Sequence, residues 1–405
     1  MLKRYFLNNK KRNFSTASIW IKGGSDMDST GKKGINKILC SLLTRGCEGF
    51  NNFTLSEYIE SYGAELNQEI FEDGISISIK SLNEHFSKLF PLLDLIINKP
   101  ILSETEFKKV KKSSIDHIKK DKENPFNICF EKWRKIVYSN HPYAFNTIGN
   151  ANDVSKITYE DVLLEFKNLK NREKYLISNN PEINGENFGT LEKKILKEKS
   201  DPLNHNLNTT NRFDYINNDS NQTIIMMGDQ TCSRRSSEYF PLKVLESYLS
   251  YGMSAALFKL FREKHGITYD LGVYYPIRSG NAPFLIYLSV SNKQALFAFE
   301  LLSTLWKNLL FNPLTDAEIF LAKEKLKGSF LLGNQSLDEI LQRKIQLVSY
   351  GISPISENDL NSKIEEISSL DILKLTNKYF SKPFLSISGN KNICLEISNR
   401  WKKNF

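Results

Sequence analysis

At 405 residues, with 40% hydrophobic and 25% charged residues, the chain is long enough for two domains with real cores. No apolar run approaches the ~18 residues of a membrane span, and the mean hydropathy is −0.38. Five scattered cysteines (Cys40, Cys47, Cys129, Cys232, Cys394) exclude a disulfide framework and point to a reducing compartment, so a cytoplasmic protein is expected. The net charge of +9 comes without a nucleic-acid recognition motif. Its densest stretch, Lys108, Lys109, Lys111, Lys112, Lys119, Lys120 and Lys122, reads as the solvated face of one helix. Neither a nucleic-acid partner nor a membrane span is expected.

The elements can be taken in chain order. Residues 1–12 are basic and without acidic residues, which mimics an organellar transit peptide; the preferred reading is a first β-strand and turn, with no targeting segment. A strand is predicted over 17–22 and helices over 33–45 and 55–62, the second opened by the capping-box pattern Thr54-Leu55-Ser56-Glu57. Ile75, Ile77 and Ile79 alternate with Ser76, Ser78 and Lys80, the pattern of a half-buried antiparallel strand. Helices follow from about 83 to 98 and from 103, where Ser103-Glu104-Thr105-Glu106 is another capping box. Further on come a strand over 223–228, helices around 236–249 and 254–264, strands over 267–275 and 284–290, and helices from 292, 315, 336 and 368.

The second set repeats the first. Val154-Ser155-Lys156-Ile157-Thr158-Tyr159-Glu160-Asp161-Val162-Leu163 returns 210 residues later as Ile364-Glu365-Glu366-Ile367-Ser368-Ser369-Leu370-Asp371-Ile372-Leu373. Arg134-Lys135-Ile136 returns after 209 as Arg343-Lys344-Ile345. An offset of half the chain argues for a duplicated domain. The expected organisation is one domain at 1–190, a linker at 191–221 rich in Asn, Lys, Asp and Ser, and a second domain at 222–405. The fold class that follows is α+β, with two homologous domains, each an antiparallel sheet covered by helices.

In residues 34–46, Ile35, Ile38, Leu39, Leu42 and Leu43 fall at helical spacing, leaving Lys37 and Ser41 one turn apart with Cys40 between them. The frame of Gly23-Gly24-Ser25, Gly34-Ile35 and Gly46 resembles the pitrilysin/insulinase metallopeptidase family, whose H-x-x-E-H helix places its zinc-binding His residues at positions 37 and 41 and its Glu base at 40. The resemblance covers nearly the whole chain and implies the same two-domain, half-clamshell architecture. The family's third ligand, a Glu, falls on or near His117, with Asp116 beside it. With these degenerate positions, Lys37, Cys40, Ser41 and His117, no metal is expected in this chain. A substitute site made of Cys40, Cys47 and His117 is the weaker alternative. Gly252 to Tyr269, ending Arg262-Glu263-Lys264-His265-Gly266-Ile267-Thr268-Tyr269, resembles the family's helix-to-strand turn, with Gly266 as a left-handed stop. The resemblance gives Arg262 and Tyr269 an accessory catalytic role, hydrogen-bonding peptide substrate in a complex.

The implied protein is a catalytically silent subunit that pairs as a heterodimer with a zinc-bearing family subunit and acts on unfolded peptide. The alternatives are a non-enzymatic scaffold or peptide-binding member, and an independent enzyme with rebuilt chemistry. Zinc is expected in the partner. The short connection Leu249-Ser250-Tyr251-Gly252 leaves no room for the long glycine-rich loop of the family's mitochondrial processing branch, so presequence processing is not expected.

Overall fold

A computed structural model describes residues 2–6, 13–180, 189–190, 211–268, 270–333, 336–353 and 360–405. The first half of the chain runs β1 (Leu2–Phe6), β2 (Phe14–Lys22), α1 (Ile35–Leu43), the short pair β3 (Gly46–Cys47) and β4 (Phe50–Asn51), α2 (Asn52–Ser61), β5 (Glu65–Ile70) and β6 (Gly74–Leu82). Then come α3 (Asn83–Leu89), α4 (Pro91–Asn98), α5 (Glu104–Asp121), α6 (Pro125–Tyr138), α7 (Ala151–Lys156), α8 (Tyr159–Asn171), β7 (Lys174–Ser178) and β8 (Gly189–Thr190). The second half runs β9 (Phe213–Asn217), β10 (Gln222–Gln230), α9 (Tyr239–Ser250), a π-helix (Phe258–Lys264), β11 (Asp270–Tyr274), β12 (Pro283–Ser291), α10 (Ala295–Phe311) and α11 (Asp316–Gly333). It closes with α12 (Leu337–Ser349), α13 (Leu360–Glu365), α14 (Ser369–Phe380), β13 (Phe384–Gly389) and α15 (Lys391–Asn404). No helix among the described residues is long and apolar enough to cross a membrane.

The duplication is visible in the sheets. Their orders are β5-β6-β2-β7-β1-β8 and β11-β12-β10-β13-β9, and the two match strand for strand over the first five places. The central pairs are antiparallel, but β1 runs parallel to β7 and β9 parallel to β13, so neither sheet is wholly antiparallel. Strand β9 also occupies the end of the stretch expected to be linker; residues 191–210 lie outside the described residues. The repeated phrase opens α8 and α14 in the same way. Thr158 and Ser368 each accept the backbone N–H of the Asp three residues on, and that Asp accepts the cap's own N–H. By chain order, α1 corresponds to α9 and α2 to the π-helix. The helix that carries Lys37 is therefore the counterpart of α9 and not of the one that carries Arg262, which lies one element further on.

Each compact unit borrows a helix from the other half of the sequence. One unit gathers residues 1–120, 145–199 and 333–357; the other gathers 121–144, 200–332 and 358–405. The division at 190 and 222 differs from these units in that α6 packs on β13, β10 and β9, while α12 packs on β2 and β7. These are the two helices that carry the repeated Arg-Lys-Ile. On α12, Leu337, Leu341, Ile345 and Val348 pack with Trp20, Tyr175 and Ile177, each buried aliphatic contributing roughly 1.5–3 kcal/mol. Asp338 accepts Thr16 Oγ1 at 2.9 Å and Lys80 Nζ at 3.0 Å. On α6, Cys129 O accepts Ser386 Oγ at 3.0 Å.

This second layer explains a difference on β6. Ile75, Ile77 and Ile79 are buried against the α1 side as expected, but Ser76 is buried too, its hydroxyl 3.2 Å from that of Ser18. The strand is covered on both faces near Ser76, whereas alternation predicts one wet face. Other local differences are small. Asn51, not Thr54, caps α2, taking the N–H groups of Phe53 and Thr54, and Pro91 divides the helix predicted over 83–98 into α3 and α4. The lysine-rich helix is α5, with Lys108, Lys109, Lys112, Lys119 and Lys120 exposed as predicted.

Candidate functional site

The start of α1 is built by a buried carboxylate. Asp28 accepts the N–H of Gly34 at 2.6 Å, that of Asn36 at 3.1 Å and the Asn36 side-chain amide at 2.8 Å. These bonds satisfy donors that a helix start leaves without partners. Burial pushes the Asp28 carboxyl above its ordinary range, and the same hydrogen bonds oppose that shift. Gly34 sits at φ +100°, and an added Cβ would lie 2.7 Å from Ile148 O; at Gly149, φ +78°, it would lie 2.2 Å from Lys33 O. The two glycines let the loop before α7 cross the α1 start at backbone contact. On the far side, Asn36 Oδ1 accepts Arg172 Nη1 at 3.0 Å, and Arg172 is also paired with Glu165.

The apolar positions predicted for α1 are all buried, and Cys40 is buried with them at 0% exposure. Its thiol is pushed up to about 12, first by burial; the Lys37 ammonium pulls it down and Glu69 pushes it up. Cys40 is therefore a neutral thiol in the core, with charges of both signs near it. Lys37 and Ser41 are half-buried, one turn apart. His117 and Asp116 on α5 are exposed, while the next residue, Ile118, faces the core. Cys40 and Cys47 are buried and His117 is not, and no group of three or more His, Cys, Asp or Glu able to hold a metal ion is found among the described residues.

In the other unit, the π-helix ends as predicted. Gly266 adopts φ +60°, its N–H donates to Arg262 O at 3.1 Å, and the N–H of Ile267 donates to Phe261 O at 2.9 Å. Arg262 is exposed in the last turn, its guanidinium 4.8 Å from the Phe258 ring. Tyr269 lies outside the described residues.

Helix α9 carries a correspondence that the sequence reading missed. Lys37-Ile38-Leu39-Cys40-Ser41 returns, 206 residues on, as Lys243-Val244-Leu245-Glu246-Ser247. The signal lies in the sequence, at an offset close to those of the other two repeats. Here Lys243 and Glu246 form a buried pair at 2.6 Å, Lys243 also donates to Tyr275 O at 3.0 Å, and Ser247 Oγ donates to Ala322 O at 2.8 Å. Every partner is internal, so this copy of the helix serves packing.

Two family models match the chain: "Insulinase (Peptidase family M16)" over residues 4–151 and "Peptidase M16 inactive domain" over 182–326. The chain belongs to the M16 peptidase family. Among its M16 relatives, an uncharacterized zinc protease of Rickettsia felis is 24% identical over 89% of this chain and 88% of its own length. The uncharacterized zinc protease YmxG of Bacillus subtilis is 22% identical over 96% and 99%. The mitochondrial-processing peptidase subunit beta of Saccharomyces cerevisiae is 21% identical over 95% and 88%. In fold, the chain is similar to a peptidase M16 inactive domain from Pseudomonas fluorescens, with a TM-score of 0.81, 20% identity and 95% of both chains covered. It is likewise similar to a protease from Helicobacter pylori, with a TM-score of 0.81, 15% identity and the same coverage.

Proposed function

We propose that this M16 chain is a catalytically silent subunit that works beside a zinc-bearing family subunit, to which it contributes Arg262 and Tyr269 for binding peptide substrate. The observation that carries this reading is the state of α1. Its frame is kept, while the positions that hold metal in the family's motif are Lys37 and Ser41, and the base position is the buried thiol of Cys40. These residues do not fit zinc. An ammonium ~4 Å from a divalent cation repels it by several kcal/mol even at an effective dielectric of ~20. A hydroxyl is a poor zinc ligand, and a thiol held neutral by burial is neither ligand nor base. His117 and Asp116 face solvent rather than this helix's buried side.

Arg262 supports the second part of the reading. It is exposed at the end of a helix whose left-handed stop is intact, so its guanidinium can hydrogen-bond a peptide carbonyl oxygen as negative charge develops there. The experiment reconstitutes the chain with an H-x-x-E-H family subunit and assays an unfolded peptide. The chain alone is expected to hold no stoichiometric zinc by elemental analysis and to cleave nothing. In the pair, Arg262→Ala and Tyr269→Phe each lower kcat by ~10²–10³-fold with less effect on KM. If both variants assemble and turn over like the wild type, the catalytic contribution is wrong and a scaffold role takes its place.

A further inference from the structure

A cavity of about 390 Å³ opens between α9, the π-helix, α10 and α11, remote in kind from the α1 positions and built within one unit. That volume is in the range of small-ligand sites. Its lining combines Leu260, Leu301 and Leu305, all half-buried, with the half-buried Lys325 and the exposed Lys259 and Lys264. One carboxylate, Glu318, also lines it, and that group is already engaged. It accepts the Tyr248 hydroxyl at 3.0 Å, the Thr315 N–H at 2.9 Å and the Thr315 hydroxyl at 2.8 Å, closing the start of α11. The cavity therefore combines an apolar lining with an excess of positive charge. The Lys325 ammonium is held below its ordinary range, first by burial and then by repulsion from Lys259, which also lies near enough to Glu318 to pull that carboxyl down. An anion seated between the two lysines would relieve the repulsion, and an apolar tail would cover the leucines.

We propose that this cavity binds an aliphatic carboxylate of fatty-acid type, its head group held by Lys259 and Lys325 and its chain lying over Leu260, Leu301 and Leu305. The site is independent of the proposed role of Arg262 and Tyr269 and stands or falls separately. The test is calorimetric titration of the full chain with octanoate, decanoate, decanol and decyltrimethylammonium. Decanoate should bind, more tightly than octanoate by roughly fourfold per added methylene, and at least about tenfold more tightly than decanol or the cation, as expected of a charge-assisted contact. The double variant Lys259→Met/Lys325→Met should lose that preference while still binding decanol, and Leu301→Trp, which fills the cavity, should abolish binding of both. Lys325→Arg should retain it; if the double variant is poorly folded, Lys325→Gln is read in its place. Absence of decanoate binding, equal affinity for decanol and decanoate, or full decanoate binding by Leu301→Trp, by Lys259→Met/Lys325→Met or by Lys325→Gln would overturn the proposal.

Discussion

Placing at position 40 of α1 the carboxylate that the proposed reading assigns to the family's motif, by Cys40→Glu, should destabilise the fold. The wild-type thiol titrates at about 12 instead of its ordinary 9.0 because the site is fully buried, and this already includes the favourable pull of Lys37. At about 1.36 kcal/mol per pH unit, that displacement corresponds to about 4 kcal/mol against a negative charge at this point. A glutamate placed there, ordinarily titrating near ~4.3, would titrate near ~7 when folded. The sign follows from a folded value raised above the unfolded one. The stability is fully present below about pH 4.3 and is lost as pH rises through about 7. Cys40→Gln has the same bulk without the charge, and so carries the ~1–3 kcal/mol of overpacking alone. The Glu variant should therefore be less stable than the Gln variant by about 4 kcal/mol at pH 8 and by only about 1 kcal/mol at pH 5. The assay is urea unfolding followed by the fluorescence of Trp20, which is buried in the same unit. Comparison of the two variants cancels every other titrating group. Equal stability at pH 8, or a gap that stays constant from pH 5 to 8, would mean that the Cys40 slot is wet or that Lys37 neutralises it, and the account of α1 given above would fail.

Asp26 makes a second pH prediction. Its carboxyl is raised from 3.8 to about 7, first by burial and then by Asp73, against the Gly24 N–H bond. Its contribution is present below pH 3.8 and disappears as pH rises through about 7, so Asp26→Asn should flatten the stability-versus-pH curve between pH 4 and 8 by roughly 2–4 kcal/mol in urea titrations. Thr158→Ala and Ser368→Ala remove equivalent caps from α8 and α14 and should each cost about 1 kcal/mol in chemical unfolding. A loss at one site only would break the equivalence of the two halves at this helix.

The features that local physics controls were legible in the sequence. The apolar spacing in residues 35–43 predicts α1 and its buried positions, because a 3.6-residue period aligns those side chains whatever they pack against. The repeated phrase predicts identical caps at Thr158 and Ser368, since a capping box needs only four consecutive residues. Gly266 announces its own left-handed stop for the same reason. The resemblance of the frame around α1 to the family's motif, which puts Lys37, Cys40 and Ser41 at the motif's chemical positions, is equally a matter of residues in order.

What tertiary structure alone decided is which surfaces meet. The pattern of α12, with Leu337, Leu341, Ile345 and Val348, demands an apolar sheet, but both sheets offer one, and periodicity carries no address. Only the fold sends α12 to Trp20 and Tyr175 and sends α6 to β13. That exchange buries Ser76, which alternation alone would leave in water. The same limit applies at the site. Counting along the chain brings His117 to the third-ligand position, yet the rotation of α5 turns His117 to solvent and Ile118 to the core. The resemblance puts Cys40 at the motif's base position, while its burial among the leucines makes it a neutral core thiol. Spacing fixes a residue's place along a helix; the free energy of covering apolar surface fixes which way the helix turns.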